Sequence, residues 1–214
     1  MLTFQPVEII SNFAVFEGGD GSGTTTQLSL LTERMKNVQS PFFFPTFEPT
    51  GTQTGNLIRA ALKREIVLKP ETLAVLFAAD RNEHLYGLGG IAEHAAGGEL
   101  IVSDRYILSS LVYQGIECGD ELPQTLNSRF PFPELTIFLD IKPEIAIDRM
   151  KDRTSLEIYE HLDFQKKVYD KYLSVLEIYS KAGGRVETID ASKNTREVAD
   201  QVWRVISQMP IFNV

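Results

Sequence analysis

Short, continuous apolar runs recur along the chain, and each is followed by a stretch whose apolar positions repeat with helical spacing. Strands are expected over Asn12 to Phe16, Pro41 to Thr46, Leu100 to Asp104, Leu135 to Asp140 and Arg185 to Ile189. Most of these are short, continuous apolar runs rather than alternating ones, which is the pattern of strands buried on both faces. Helices are expected over Thr24 to Lys36, Gly55 to Lys63, Pro70 to about His94, Ile107 to Gln114, Leu122 to Ser128, Pro143 to Lys151, Tyr159 to Lys181 and Thr195 to Gln208. Pro70 and Glu71 suit a first helical turn, whereas Gly87, Gly89 and Gly90 weaken or kink the long segment that follows. Strands and helices in alternation predict an α/β fold, a parallel sheet with helices on both faces. The chain has no repeat, low-complexity tract or Pro/Ser-rich linker, so residues 1–214 read as a single domain.

In such a sheet a ligand lies beyond the carboxyl ends of the strands, and the distinctive polar residues fall there. After the first strand comes Glu17-Gly18-Gly19-Asp20-Gly21-Ser22-Gly23-Thr24-Thr25-Thr26. Gly18 and Gly23 have the spacing of a phosphate-binding G-x-x-x-x-G-K-[ST] loop, in which backbone N–H groups converge on an anion at a helix N-terminus. Thr24 stands where that motif has its lysine, and Thr25 supplies the hydroxyl that can ligate Mg²⁺. Taken alone, the stretch also fits a glycine-rich turn without a ligand.

After the third strand, Asp104 can hold Mg²⁺ through water, and Arg105 can clamp a phosphate with two parallel hydrogen bonds. The bland reading is an Asp–Arg pair that caps the next helix. Phe77 and Arg81 lie one turn apart on the long helix, where a ring and a guanidinium can hold a flat base and its phosphate. A core Phe beside a surface Arg is the alternative. Arg149 and Arg153 precede a polar break at Asp152 to Ser155 and can close over phosphates as a lid, or simply form a solvated face.

Bulk properties narrow the chemistry. With 21 basic and 29 acidic side chains the formal net charge is -8, which disfavours a nonspecific grip on nucleic acid and requires any phosphate site to be a local basic cluster. The single cysteine, Cys118, forms no internal disulfide and reads as structural. Neither a signal peptide nor a membrane span is apparent, so a soluble, cytoplasmic protein is expected.

Together these residues resemble the thymidylate kinase family. The resemblance is carried by Phe16-Glu17-Gly18…Asp20-Gly21-Ser22-Gly23, Glu48-Pro49-Thr50-Gly51-Thr52…Gly55…Ile58-Arg59 and Leu76-Phe77-Ala78-Ala79-Asp80-Arg81…His84. It continues through Asp104-Arg105-Tyr106…Ser109-Ser110…Tyr113-Gln114-Gly115, Leu139-Asp140…Pro143-Glu144 and Ile189-Asp190-Ala191-Ser192. The resemblance implies a P-loop kinase fold with a five-stranded parallel sheet, a homodimer, and transfer of the γ-phosphoryl of ATP to dTMP with Mg²⁺. It would put Gly18, Gly21, Ser22, Gly23, Thr24, Thr25 and Thr26 around the ATP phosphates, with Thr25 and Asp104 on the metal. Phe77 would stack on thymine, Arg81 would touch base and phosphate, and Arg105 would hold the dTMP phosphate. Asp20 would lie near the acceptor phosphate and sugar, Ser109, Ser110 and Gln114 near the base, and Tyr113 beneath the sugar, with Glu48 and Pro49 completing the dTMP side.

Three cationic positions of the family are neutral here. Thr24 replaces the loop lysine, Phe47 replaces an arginine before Glu48-Pro49, and Ile158 or, in another register, Leu156 replaces the arginine of a lid spanning about 149–160. The expectation is an active, atypical dTMP kinase in which Arg105, Arg149, Arg153 or Lys151 supplies the missing charge. The alternatives are a non-catalytic nucleotide-binding homologue and a kinase of another (deoxy)nucleoside monophosphate.

Overall fold

A computed structural model describes residues 8–150 and 162–213. The lid expected at about 149–160, with Lys151, Arg153, Leu156 and Ile158, therefore lies outside the described residues from 151 onward.

The chain runs β1 (Ile9–Glu17), α1 (Thr24–Met35), β2 (Phe43–Phe47), α2 (Gln53–Leu62), α3 (Pro70–Tyr86), α4 (Ile91–Ala96), β3 (Leu100–Asp104), α5 (Ile107–Cys118), α6 (Glu121–Asn127), β4 (Phe132–Asp140), α7 (Pro143–Met150), α8 (Leu162–Lys181), β5 (Val186–Asp190) and α9 (Thr195–Ile206). The strands form one parallel sheet in the order β2-β3-β1-β4-β5. Successive residues of each strand point to opposite faces, and both faces are buried over most of the central strands β3, β1 and β4, while the edge strands β2 and β5 are half-exposed. Phe13, Val15 and Ile101 join a core with α3, α5 and α8, through Leu85, Leu111, Val112, Val168 and Tyr172. Ala14, Phe16, Leu100 and Val102 join a second core with α1 and α9, through Leu28, Leu31, Val198 and Val202. Two buried faces turn a period-two structure into the unbroken apolar runs seen in the sequence.

Several boundaries differ from the sequence reading, β4 beginning at Phe132 and α5 running on to Cys118 among them, and two differ for local reasons. β1 begins at Ile9, before Asn12. Asn12 sits at a register irregularity with φ 62° and donates its backbone N–H to Glu134 at 2.7 Å, so a polar residue that looks like a strand end is a bulge inside the strand. The long helix expected to reach His94 stops at Tyr86, and a separate short helix starts at Ile91 after the glycine-rich turn.

Strand ends decide where the site lies. Phe16 of β1 and Phe47 of β2 both register with Asp104 of β3, so these carboxyl ends finish level. The chain leaves β1 toward α1 on one face and leaves β3 toward α5 on the other, which opens a crevice between the neighbouring strands. Among the described residues no helix is long and apolar enough to cross a membrane.

Candidate functional site

The loop from Gly18 to Gly23 leads directly into α1, and backbone conformation explains its glycines where the turn is tightest. Gly21 has φ 77° and Gly23, the residue before the helix, has φ 96°, a region that side chains disfavour. A Cβ on Gly21 would also lie 2.7 Å from the Ala146 carbonyl. Thr24, Thr25 and Thr26 form the first helical turn, with Thr24 buried and Thr25 and Thr26 exposed. The Thr25 hydroxyl donates to Asp104 Oδ2 at 2.5 Å across the gap between α1 and β3. Asp104 Oδ1 and the Ser22 hydroxyl are buried without a hydrogen-bond partner.

Beside this loop opens a cavity of about 580 Å³, bounded by Asp20, Glu48, Pro49, Phe77, Arg81, Arg105, Ser109, Ser110, Tyr113 and Gln114, with Leu62, Tyr106, Glu117, Ile147, Met150, Phe164 and Gln165 completing its wall. Residues from the loops after β1, β2 and β3 and from α3, α5, α7 and α8, far apart in sequence, thus surround one space. Its volume suits a nucleotide-sized ligand.

At one end Arg105 follows directly on β3. Its φ is 73°, so an arginine holds a strained backbone position, which is common where geometry serves a site. Its guanidinium donates to Asp20 Oδ1 at 2.9 Å, the Gly18 carbonyl at 3.1 Å, the Ser109 hydroxyl at 3.2 Å and Tyr172 OH at 3.5 Å, and lies over the Tyr113 ring at 5.2 Å. Burial alone would lower its pKa. The oxygens of Tyr113, Tyr172, Asp20 and Asp104 outweigh burial, so the group holds its proton more tightly than an ordinary arginine. Asp20 also accepts from Tyr113 OH at 3.0 Å and from Gln165 at 2.9 Å. Burial raises the Tyr113 pKa, leaving a neutral phenol as donor.

At the other end Arg81 is buried and spreads its donors over Glu48 (3.0 and 2.6 Å), Asn127, the Tyr106 carbonyl (3.0 Å) and Ser110 (3.1 Å). Glu48 is likewise buried, and its second oxygen faces His84 Nδ1 at 3.1 Å. Arg81 therefore presents a largely compensated charge to the cavity. The adjoining Glu48–Thr52 loop is anchored by Asp80, which accepts the Thr50 N–H (2.7 Å), the Thr50 hydroxyl (2.7 Å) and the Thr52 hydroxyl (3.0 Å). Arg59 donates to the Pro49 and Thr50 carbonyls beneath it and lies over the Phe47 ring.

Other residues singled out in the sequence are placed differently. Arg149 donates to the main-chain carbonyls of Ala191 (2.7 Å), Ser192 (3.2 Å) and Lys193 (3.0 Å), after β5, and does not line the cavity. Arg153 lies outside the described residues. Ser109 lines the cavity, but its hydroxyl points to the buried Glu17 at 2.6 Å. Gln114 has an unpartnered, buried Oε1 at the cavity wall. Sequence reasoning assigned no role to Glu17, Asp80, His84, Asn127, Gln165 or Tyr172. A usable signal existed for Glu17, a charge ending an apolar strand. None existed for Gln165 or Tyr172, which look like ordinary positions of a long amphipathic helix.

An anion loop at the end of the first strand, a carboxylate at the end of its neighbour and an arginine-lined cavity alongside define a phosphotransferase of the P-loop nucleotide-kinase class. Comparison with known proteins narrows the class. The model of the family described as thymidylate kinase matches residues 16–202. Two relatives carry that name provisionally. One, from Treponema pallidum (strain Nichols), is 42% identical over 170 residues, 79% of this chain and 81% of that protein. The other, from Methanococcus aeolicus, is 35% identical over 206 residues, 95% of this chain and 100% of that protein. A protein named thymidylate kinase in Synechococcus sp. (strain JA-3-3Ab) is 35% identical over 199 residues, 91% of this chain and 94% of that protein. The chain belongs to the thymidylate kinase family.

Proposed function

We propose that this protein transfers the γ-phosphoryl group of ATP to dTMP, giving ADP and dTDP. The observation that carries the reading is the cavity joining Phe77 and Arg81 at one end to Arg105 and Asp20 at the other, beside the glycine loop. Phe77 takes the flat face of thymine, with Ser110 and Gln114 at its edge. Arg81, already paired with Glu48, suits a neutral base oxygen better than a phosphate. Tyr113 lies under the sugar, and Arg105 holds the monophosphate. The attacking phosphate oxygen is already ionised, so no general base is needed, and catalysis rests on alignment and positive charge. Because Arg105 also reaches the Gly18 carbonyl, it is the cation we assign to the place left by Thr24. Gly18, Gly21, Ser22, Gly23 and Thr24 to Thr26 receive the donor phosphates.

Mg²⁺ is the cofactor we assign, with Thr25 and Asp104 as its protein ligands. The donor set fits, because Asp104 Oδ1 is buried without a partner and the Thr25 hydroxyl is beside Oδ2. Among the described residues no cluster of at least 3 His, Cys, Asp or Glu side chains is placed to hold a metal, which suits an ion carried largely by phosphate and water. When bound, the ion neutralises charge on the donor phosphates. The family resemblance further supports a homodimer, and the lone Cys118 is in keeping with the cytoplasm.

The decisive assay supplies ATP, Mg²⁺ and dTMP and follows ADP formation. No ADP above background at high enzyme concentration sinks the proposal. Calorimetric binding of dTMP without turnover would instead support a non-catalytic nucleotide-binding homologue, a reading motivated by the neutral Thr24. Preferential turnover of dUMP or dCMP would move the substrate to another monophosphate. Thr24→Lys should raise turnover if the loop binds the donor in the usual register.

A further inference from the structure

Glu17 is the last residue of β1, fully buried, and none of the roles above uses it. Four donors converge on its carboxylate. Oε1 accepts the backbone N–H groups of Tyr106 (3.0 Å) and Ser109 (3.2 Å), which open α5. Oε2 accepts the hydroxyls of Ser109 (2.6 Å) and Tyr172 (3.0 Å). One oxygen thus caps a helix that has no local side-chain cap. The other faces the same two hydroxyls that Arg105 uses from the opposite side.

That double use has a directional consequence. The two hydroxyls also lie 2.9 Å from each other, and because a carboxylate only accepts, Glu17 competes with that contact and draws their protons toward itself. The lone pairs of Ser109 and Tyr172 are then turned toward the Arg105 guanidinium, which only donates. We propose that Glu17 is a positioning residue for the acceptor phosphate, orienting Ser109 and Tyr172 so that they seat Arg105. Resting on the dTMP kinase reading, this assigns Glu17 to the monophosphate half of the site rather than to the donor loop in which it appears in sequence.

Glu17→Gln separates this role from simple support of the fold. The amide oxygen keeps the cap on α5, while the amide N–H₂ faces the hydroxyls as a donor and turns their protons away. Electrostatics alone predicts the opposite outcome, because removing a negative charge near the phosphate site should tighten dTMP. In steady-state assays, Glu17→Gln is expected to raise the KM for dTMP about tenfold or more, leaving the KM for ATP within about twofold. Tyr172→Phe, which removes one of the two hydroxyls, should give a smaller rise in the same constant. In the double variant the two effects should fall short of multiplying, since both act through one bond. An unchanged or lowered KM for dTMP in Glu17→Gln, with wild-type turnover intact, overturns the inference and leaves the kinase reading standing. Equal rises in both KM values point to a structural role and overturn it as well. If the wild type binds dTMP without turning it over, the kinase reading fails, and the same comparison of dTMP affinities by calorimetry decides the role of Glu17. A wild-type chain that neither binds nor phosphorylates dTMP overturns both.

Discussion

Removing Glu48 should cost far more than the loss of a surface ion pair. Arg81 and Glu48 are 1% and 3% exposed at their side chains and meet at 2.6 Å. In Glu48→Ala the guanidinium keeps only neutral acceptors, namely Asn127, the Tyr106 carbonyl and Ser110, so its charge stays buried without a counter-ion. Breaking such a pair from one side costs about 3–5 kcal/mol. For a domain of this size that corresponds to a fall of about 6–20 °C in Tm, since each kcal/mol moves it by about 2–4 °C. Glu48→Gln restores a carbonyl acceptor but not the counter-charge, so it should recover only about 1–2 kcal/mol of that loss. Thermal and urea unfolding of the purified variants measure both. Glu48→Leu combined with Arg81→Met should recover at least half of the Glu48→Ala loss, because it removes the stranded charge as well. A loss below about 1 kcal/mol in Glu48→Ala would refute the reasoning. So would a double variant as unstable as the single one, which would place the cost in packing rather than charge.

Three further outcomes are expected. Gly21→Ala forces a side chain into φ 77° with its Cβ 2.7 Å from the Ala146 carbonyl, so it should cost about 1–2 kcal/mol and raise the KM for ATP more than that for dTMP; equal kinetic effects would contradict the donor role of the loop. Asp104→Asn should raise the Mg²⁺ concentration needed for half-maximal activity about tenfold, and an unchanged Mg²⁺ titration would remove Asp104 from the metal site. Burial raises the Glu17 pKa above 4.5 despite opposing hydrogen bonds from Ser109 and Tyr172 and the Arg105 charge. Its stabilising contribution is therefore complete below 4.5 and is lost as pH rises through the raised value. Glu17→Gln does not titrate, so wild-type stability relative to this variant should decline with rising pH. A difference that stays constant from about pH 4 to 8 in thermal melts would show that Glu17 has the same pKa folded as unfolded, so that burial does not raise it.

The sheet was legible because burial on both faces leaves an unambiguous mark, as Leu100 to Asp104 illustrates with every residue buried. Gathering of Phe77, Arg81 and Arg105 around one cavity was also foreseeable, since Arg105 follows a strand end while Phe77 and Arg81 share one face of the long helix within a distinctive motif. What spacing does not encode is the direction of a side chain. Arg149 has the right charge and a suitable place in the chain, yet three carbonyls following β5 take its donors. Arg81 looks like a free cation until Glu48 and Asn127 are seen around it. Gln165 and Tyr172 enter the site through tertiary contacts made across more than half the chain, which leave no local trace.

The left-handed backbone of Arg105 also bears on how this protein tolerates change. Glycine relaxes that backbone and aspartate or asparagine sits there readily, so a search for stability alone would replace the arginine. Position 105 is thus a place where gains in folding and retention of the phosphate clamp run against each other. Ancestral or consensus redesign of this chain should hold it fixed while varying its surroundings.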